Sequence, residues 1–419
     1  MDIKVYPGRL SGRVEIPSSK SYSHRCIIAA ALAEGMSRVS GVTASKDIEV
    51  TSEAMRTLGA ELSADGDVYT VTGHGFGDDG LRDGVSGVKM DIDCCESGST
   101  LRFIIPVAAV LGANATFHGR ANLPNRPITP YVREFKGKGV IFEPEIGLPI
   151  TISGRLRAGE YCLEGDISSQ FITGLMMALP LCNEDSVIKL TSPLQSKPYA
   201  DMTMDTLRKF GVNIFETTFE GLPMYLIKGG QRYRPCDIRV EGDYSQAAFF
   251  FTANVIGSQV HIGNLPENSV QGDRAIVRII KEMGNEMSPF TVDVSDIPDL
   301  VPILAVLGSF GKGTSRLVNA ARLKLKESDR LEMTAANLNA IGGRVRAGKD
   351  LLEIDPVERF TGGVVQAHDD HRLVMSAAIA ALRAESPVII EGAQAVNKSY
   401  PRFFDDFRAL GGRAEVISG

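Results

Sequence analysis

Six times along this chain an amphipathic stretch closes on a residue followed by glycine, and a strand-like run begins. The pairs are Leu58-Gly59, Lys138-Gly139, Phe210-Gly211, Met283-Gly284, Ile341-Gly342 and Leu410-Gly411. They recur at intervals of roughly 60 to 80 residues, a self-similarity that marks one supersecondary unit used repeatedly. A glycine just past a helix can adopt the left-handed conformation that ends it, after which the chain leaves as a strand.

A second series interleaves with the first. Apolar stretches of helix length run from Arg25 to Ala33, Leu101 to Leu111, Phe171 to Leu181, Ala247 to Ile256, Leu300 to Leu307 and Leu373 to Leu382. Most are apolar nearly all round, which predicts buried helices rather than surface ones. They are too short for a bilayer, which needs about 20 residues. Each is preceded by polar residues. These are Ser18-Ser19-Lys20-Ser21, Glu96 to Thr100, Ser168-Ser169-Gln170, Tyr244-Ser245-Gln246, Asp296 to Asp299, and Asp369 to Arg372. Helix starts carry free N–H groups and the positive end of the dipole. Several such starts brought together would bind anions.

Strand-like runs such as Val68 to Val71, Thr116 to His118, Val187 to Leu190, Tyr225 to Ile227 and Val388 to Ile390 alternate with the helices, so the class is α/β. The length accommodates two domains, with a plausible crossing between Gly229 and Pro235. A net charge of −6 argues against nucleic-acid or anionic-membrane partners. Six cysteines without metal-ligand spacing, and an N-terminus that starts as a strand, point to a reduced cytoplasmic protein. The Gly/Asp-rich stretch from Gly73 to Gly87 is expected as a surface loop.

Candidate chemistry gathers at the polar helix starts. Lys20, Ser21 and Arg25 place hydroxyl, amides and two cations on the first turns of a buried helix, where a phosphate or carboxylate would fit. Helix capping accounts for the serines but not for the cations. Gly98 would let a ligand approach the backbone, although an ordinary N-cap loop reads the same way. Arg126 is held extended by Pro127. Ser168, Ser169, Gln170 and Ser196 are neutral donors that could equally be caps. Glu327 stands among Lys324, Lys326 and Arg330; it is either a proton shuttle or part of a solvated ion-pair network. Asp370-His371-Arg372 and Lys398 add further polar starts.

In order, these pieces resemble the EPSP synthase family of enolpyruvyl transferases, from Gly8 to about Gly412. The resemblance is carried by Pro17 to Arg25, Ser97 to Arg102, Asn125 to Ile128, Ser168 to Phe171, Ser196 to Tyr199, Ile297 to Asp299, Lys326 to Arg330, Asp370 to Arg372, and Asn397 to Pro401. It implies a two-lobed inside-out α/β barrel of six βαβαββ repeats, three per domain. One lobe would span 19–228 and the other 1–18 with 229–419, the buried-helix starts facing a cleft. It further implies a reaction in which the 5-hydroxyl of shikimate 3-phosphate attacks C2 of phosphoenolpyruvate as C3 is protonated, and the tetrahedral adduct then loses phosphate. Lys20, Ser21, Arg25, Ser168, Ser169, Gln170, Ser196, Asp299 and Lys326 would contact shikimate 3-phosphate. Lys20, Gly98, Arg126, Gln170, Arg330, Arg372 and Lys398 would contact phosphoenolpyruvate, with His371 nearby. Asp299, Glu327 and Lys20 would be catalytic.

Neither metal nor organic cofactor is implied, and the protein is expected to act as a monomer. Glu96 departs from an asparagine common in the family, and Ser99 from a threonine. Two alternatives share the fold. A transferase acting on UDP-N-acetylglucosamine is disfavoured by the missing cysteine loop and by Lys20-Ser21. A silent sugar-phosphate binder has no need of Asp299 and Glu327.

Overall fold

The computed structural model describes residues 1–75, 88–326 and 328–418. Its α-helices are, in chain order, α1 (Lys20–Leu32), α2 (Lys46–Thr57), α3 (Gly98–Val110), α4 (Thr129–Phe135), α5 (Ser169–Ala178) and α6 (Lys197–Lys209), followed by α7 (Tyr244–Val255), α8 (Ala275–Met283), α9 (Val301–Gly308), α10 (Arg330–Ala340), α11 (His371–Ala381) and α12 (Phe403–Ala409). The odd-numbered helices are the six apolar stretches, and they are buried nearly all round. The even-numbered helices pack mainly one face inward. All six helix-ending glycines have positive φ, between 62° and 100°, so the repeat rests on a backbone shape that glycine adopts without strain.

The sheets share one plan. Lys89–Asp93 runs parallel to Asn114–His118, which pairs antiparallel with Ile150–Gly154, which in turn pairs antiparallel with Val140–Glu143. Four other four-stranded sheets repeat this order, and a sixth pairing joins Ser11–Glu15 to Gln259–Gly263 in parallel. Helices α3, α5, α9 and α11 each connect the two strands of one parallel pair. The N-terminal strand Asp2–Val5 completes the last sheet, antiparallel to both Val388–Glu391 and Ala414–Ser418.

The chain divides into two compact units. The central unit is Ser18–Glu241; the terminal unit is Met1–Pro17 with Gly242–Gly419. Each has its own apolar core. In the central unit α1, α3 and α5 fill the interior, with half-buried sheets around them; α7, α9 and α11 do the same in the terminal unit. Residues 229–241, where the crossing was expected to begin, remain with the central unit. The amide of Gln231 donates to the Pro180 carbonyl at 2.9 Å, the Tyr233 hydroxyl donates to the Met177 carbonyl at 2.8 Å, and Ile238–Arg239 runs beside Glu34–Ser40.

One expectation is corrected. Gly73 is not in a surface loop: it lies in the strand Val68–His74. A Cβ there would sit 2.2 to 2.8 Å from the carbonyls of Ala33, Ala31 and Ala30 at the end of α1, so only glycine lets the strand pass. Residues 76–87 of that stretch lie outside the described residues. Among the described residues no helix is long and apolar enough to cross a membrane.

Candidate functional site

In the central unit the starts of α1, α3 and α5 carry the cluster. Ser19 caps α1 by accepting from the Tyr22 amide. Lys20 follows, its ammonium 2.9 Å from the Asp47 carboxylate on α2. Arg25, one turn on, is 2% exposed. Its guanidinium donates to the hydroxyls of Thr203 and Thr173 at 2.8 and 3.2 Å, and to the carbonyls of Ser21 and Tyr199 at 2.7 and 3.0 Å. It also stacks 5.2 Å from the Phe103 ring centroid. Every one of these partners is neutral, and no carboxylate pairs with Arg25 among the described residues. Burial pushes its pKa down to about 10, which leaves it a cation at neutral pH. A buried cation without a counter-ion leaves positive potential that an anion would offset.

Ser97 caps α3, and Gly98 is its first helical residue. A Cβ at Gly98 would lie 2.5 Å from Nη1 and 2.8 Å from Cζ of Arg126. The bare glycine is what lets this guanidinium lie against the helix start. Arg126 makes no hydrogen bond or ion pair among the described residues, and its Nε is buried. Gln170 ties α5 to α3: its side chain accepts from Arg102 at 2.7 Å and donates to Ser99 at 3.0 Å. Ser168 caps α5, and Ser169 is buried beside it. Ser196 caps α6 in a left-handed conformation, φ 60° and ψ 39°, a strained geometry for a residue with a side chain. Lys197 is held by Asp201 and Glu216, an ordinary ion-pair arrangement.

In the terminal unit a second cluster centres on Asp299, in the 3-10 turn that opens α9. Its carboxylate accepts from Arg330 and Arg372, each at 2.8 Å, and from Lys326 at 3.5 Å. Arg330, 1% exposed, also donates to Asp370 at 2.9 Å. Asp370 in turn caps α11 and accepts from Ser328 at 3.2 Å. Arg372 reaches the Ser245 hydroxyl on α7 at 3.1 Å. His371 is buried at the start of α11. Lys398 donates to the Asp369 carbonyl at 2.8 Å, which brings it to the loop before α11. Glu327, the second expected proton-transfer carboxylate, lies outside the described residues.

The terminal cluster contains a group the sequence did not advertise. Asp273 is 7% exposed, and its Oδ1 has no hydrogen-bond partner among the described residues. Burial, and then the Asp299 charge, push its carboxyl up to about 8 while Arg372 pulls it down. Burial and the Asp299 charge thus both favour its protonated form. Nothing in its surroundings in the sequence, Gln271-Gly272-Asp273-Arg274, resembles the cationic helix starts that mark the other residues. The Asp47 and Asp370 partners were likewise missed, because ion pairs spanning 27 and 40 residues leave no local pattern.

The family model for EPSP synthase (3-phosphoshikimate 1-carboxyvinyltransferase) matches residues 5–407. The chain is 41% identical over 431 residues to the 3-phosphoshikimate 1-carboxyvinyltransferase of Clostridium kluyveri, covering 99% of each. It is 42% identical over 430 residues to that of Clostridium novyi, covering 98% of each. Its fold is similar to that of an EPSP synthase from Acinetobacter baumannii, with a TM-score of 0.81 at 24% identity, covering 99% of this chain and 100% of that one. It is also similar to the enolpyruvyl transferase NikO from Streptomyces tendae, with a TM-score of 0.74 at 18% identity, covering 99% and 98%. The structural likenesses speak to the fold. The family match and identities near 40% along the whole length carry more, and they place this chain in the EPSP synthase (3-phosphoshikimate 1-carboxyvinyltransferase) family.

Proposed function

We propose that the chain is an enzyme that carries out its family's reaction, moving the enolpyruvyl group of phosphoenolpyruvate to the 5-hydroxyl of shikimate 3-phosphate with release of phosphate. The observation that carries this reading is the pair of guanidiniums in the central unit. Arg25 is buried among neutral partners only, and Arg126 lies unpartnered, among the described residues, over Gly98. Salt-bridge architecture would have supplied carboxylates; anion binding needs them left out.

In this reading Lys20, Ser21, Arg25, Ser168, Ser169, Gln170 and Ser196 serve shikimate 3-phosphate, with Asp299 and Lys326 at its hydroxyls. Gly98 and Arg126 hold phosphoenolpyruvate together with Lys20, Gln170, Arg330, Arg372 and Lys398. The hydroxyl needs a base and the methylene carbon needs an acid, which assigns Asp299, Glu327 and Lys20 to proton transfer. In this reading Lys326, 3.5 Å from the Asp299 carboxylate, is near enough to assist its proton transfer. The fixed arginines stabilise the departing phosphate. The same reading has the enzyme act as a monomer without a cofactor in the cytoplasm, in keeping with its six free cysteines.

The test is a phosphate-release assay with phosphoenolpyruvate and either shikimate 3-phosphate or UDP-N-acetylglucosamine. Release that depends on shikimate 3-phosphate alone is expected. Release with the nucleotide sugar, or with neither acceptor, refutes the assignment.

A further inference from the structure

A buried chain of hydrogen bonds runs from α1 to the start of α3. His24 Nδ1 lies 2.7 Å from Thr51 Oγ1 on α2, and Thr51 Oγ1 lies 2.7 Å from Thr100 Oγ1. The Thr100 hydroxyl donates to Ser97 Oγ at 2.8 Å, and the Thr100 amide donates to the same oxygen at 3.2 Å. All four residues are at most 1% exposed.

Each hydroxyl has one proton, and that sets the direction. Thr100 gives its proton to Ser97, so Thr51 must give its own to Thr100. His24 must then donate from Nδ1 to Thr51. This tautomer leaves Nε2 as a bare acceptor, and Nε2 is indeed buried without a partner among the described residues. Burial also pushes the His24 pKa down to about 3, so the ring is neutral. At the far end Ser97 already accepts two hydrogen bonds. Its own proton has no acceptor among the described residues, an arrangement that costs stability unless something takes the proton. Ser97 adjoins Gly98, against which lies the Arg126 guanidinium, unpartnered among the described residues.

We propose that Ser97 donates a hydrogen bond to the anion that Arg126 binds, and that His24 is a positioning residue that keeps the Ser97 proton available through Thr51 and Thr100. This rests on the reading of Gly98 and Arg126 as the phosphoenolpyruvate site. The ligand group is a phosphate or carboxylate oxygen, which the Ser97 hydroxyl and the guanidinium would share.

The experiment uses the full-length enzyme. Ser97→Gly keeps an acceptable helix start but removes the hydroxyl. Its KM for phosphoenolpyruvate should rise about tenfold, the worth of one hydrogen bond to a charged group. KM for shikimate 3-phosphate and kcat should stay within about twofold, and Ser97→Thr should restore wild-type values. His24→Leu, which frees Thr100 to accept the Ser97 proton, should raise the phosphoenolpyruvate KM about threefold and should not add to Ser97→Gly. Nitrogen-15 spectra should show His24 protonated at Nδ1 and remaining neutral down to about pH 4. An unchanged KM in Ser97→Gly, with wild-type turnover intact, overturns the inference alone. Additive effects, or a proton on Nε2, overturn the role of His24. Wild-type enzyme that releases no phosphate with shikimate 3-phosphate overturns the functional reading on which the inference stands.

Discussion

Gly98→Ala separates binding from folding at one atom. The added methyl carbon would sit 2.5 Å from Arg126 Nη1 and 2.8 Å from Cζ. Ordinary contact begins near 3.4 Å, so the guanidinium must retreat by roughly 1 Å. It can do so at small cost, because it is the end of a flexible side chain with no partner to lose among the described residues. Gly98 has helical backbone at the first position of α3, so alanine is tolerated there and stability should change by less than about 1 kcal/mol. Function should not be spared. Moving the guanidinium off its anion forfeits a charge-assisted hydrogen bond of about 1.5–3 kcal/mol. That corresponds to a rise of roughly 10- to 100-fold in KM for phosphoenolpyruvate. Initial rates of phosphate release at saturating shikimate 3-phosphate give this value, and urea unfolding gives the stability. KM for shikimate 3-phosphate should hold within about twofold. A phosphoenolpyruvate KM within twofold of wild type would refute the reasoning, as would a stability loss above about 2 kcal/mol.

Three further substitutions probe the clusters. Lys20→Ala removes a partly exposed ion pair with Asp47, so unfolding should shift by about 1 kcal/mol or less, while kcat should fall by about 100-fold or more; full turnover would remove Lys20 from the mechanism. Asp299→Ala strips the shared carboxylate from Arg330 and Arg372, both buried, and should cost about 3–5 kcal/mol in urea unfolding as well as turnover; a stability loss under 1 kcal/mol would show that those guanidiniums do not depend on it. Asp273 gives a pH signature. Its folded carboxyl lies near 8, above its ordinary value near 4, so the folded state holds a proton that the unfolded chain has released between those limits. Its contribution is fully present below about pH 4 and is lost as pH rises towards 8, by at most about 1.4 kcal/mol per unit. Asp273→Asn should flatten that decline in unfolding free energies measured from pH 5 to 8.5, whereas parallel wild-type and variant curves would contradict the buried neutral acid.

How much of this was legible depended on range. The six interior helices could be read because their apolarity is continuous and their polar starts are local. The helix-ending glycines could be read because positive φ selects glycine wherever it occurs. Arg25 and Arg126 were visible as cations at helix starts, but the lack of an acidic partner among the described residues was not; for Arg25 it depends on Thr173, Thr203 and Tyr199 from a distant repeat. Gly73 was misplaced because composition signals a loop, whereas the reason for glycine there is the close approach of the α1 carbonyls. The division between units likewise follows strand pairing of Ile238–Arg239 with Glu34–Ser40, which no glycine pair announces. Asp273 and His24 were overlooked for a common reason: the meaning of each lies in burial and in neighbours from other elements.

A crystal structure of the enzyme soaked with shikimate 3-phosphate tests the central claim most directly. The account places the ligand within hydrogen-bond distance of Ser168, Ser169, Gln170 and Ser196, at the starts of α1, α5 and α6, where Arg25 supplies a charge with no acidic partner among the described residues. Ligand density confined to another part of the central unit, with those side chains unchanged, would contradict it.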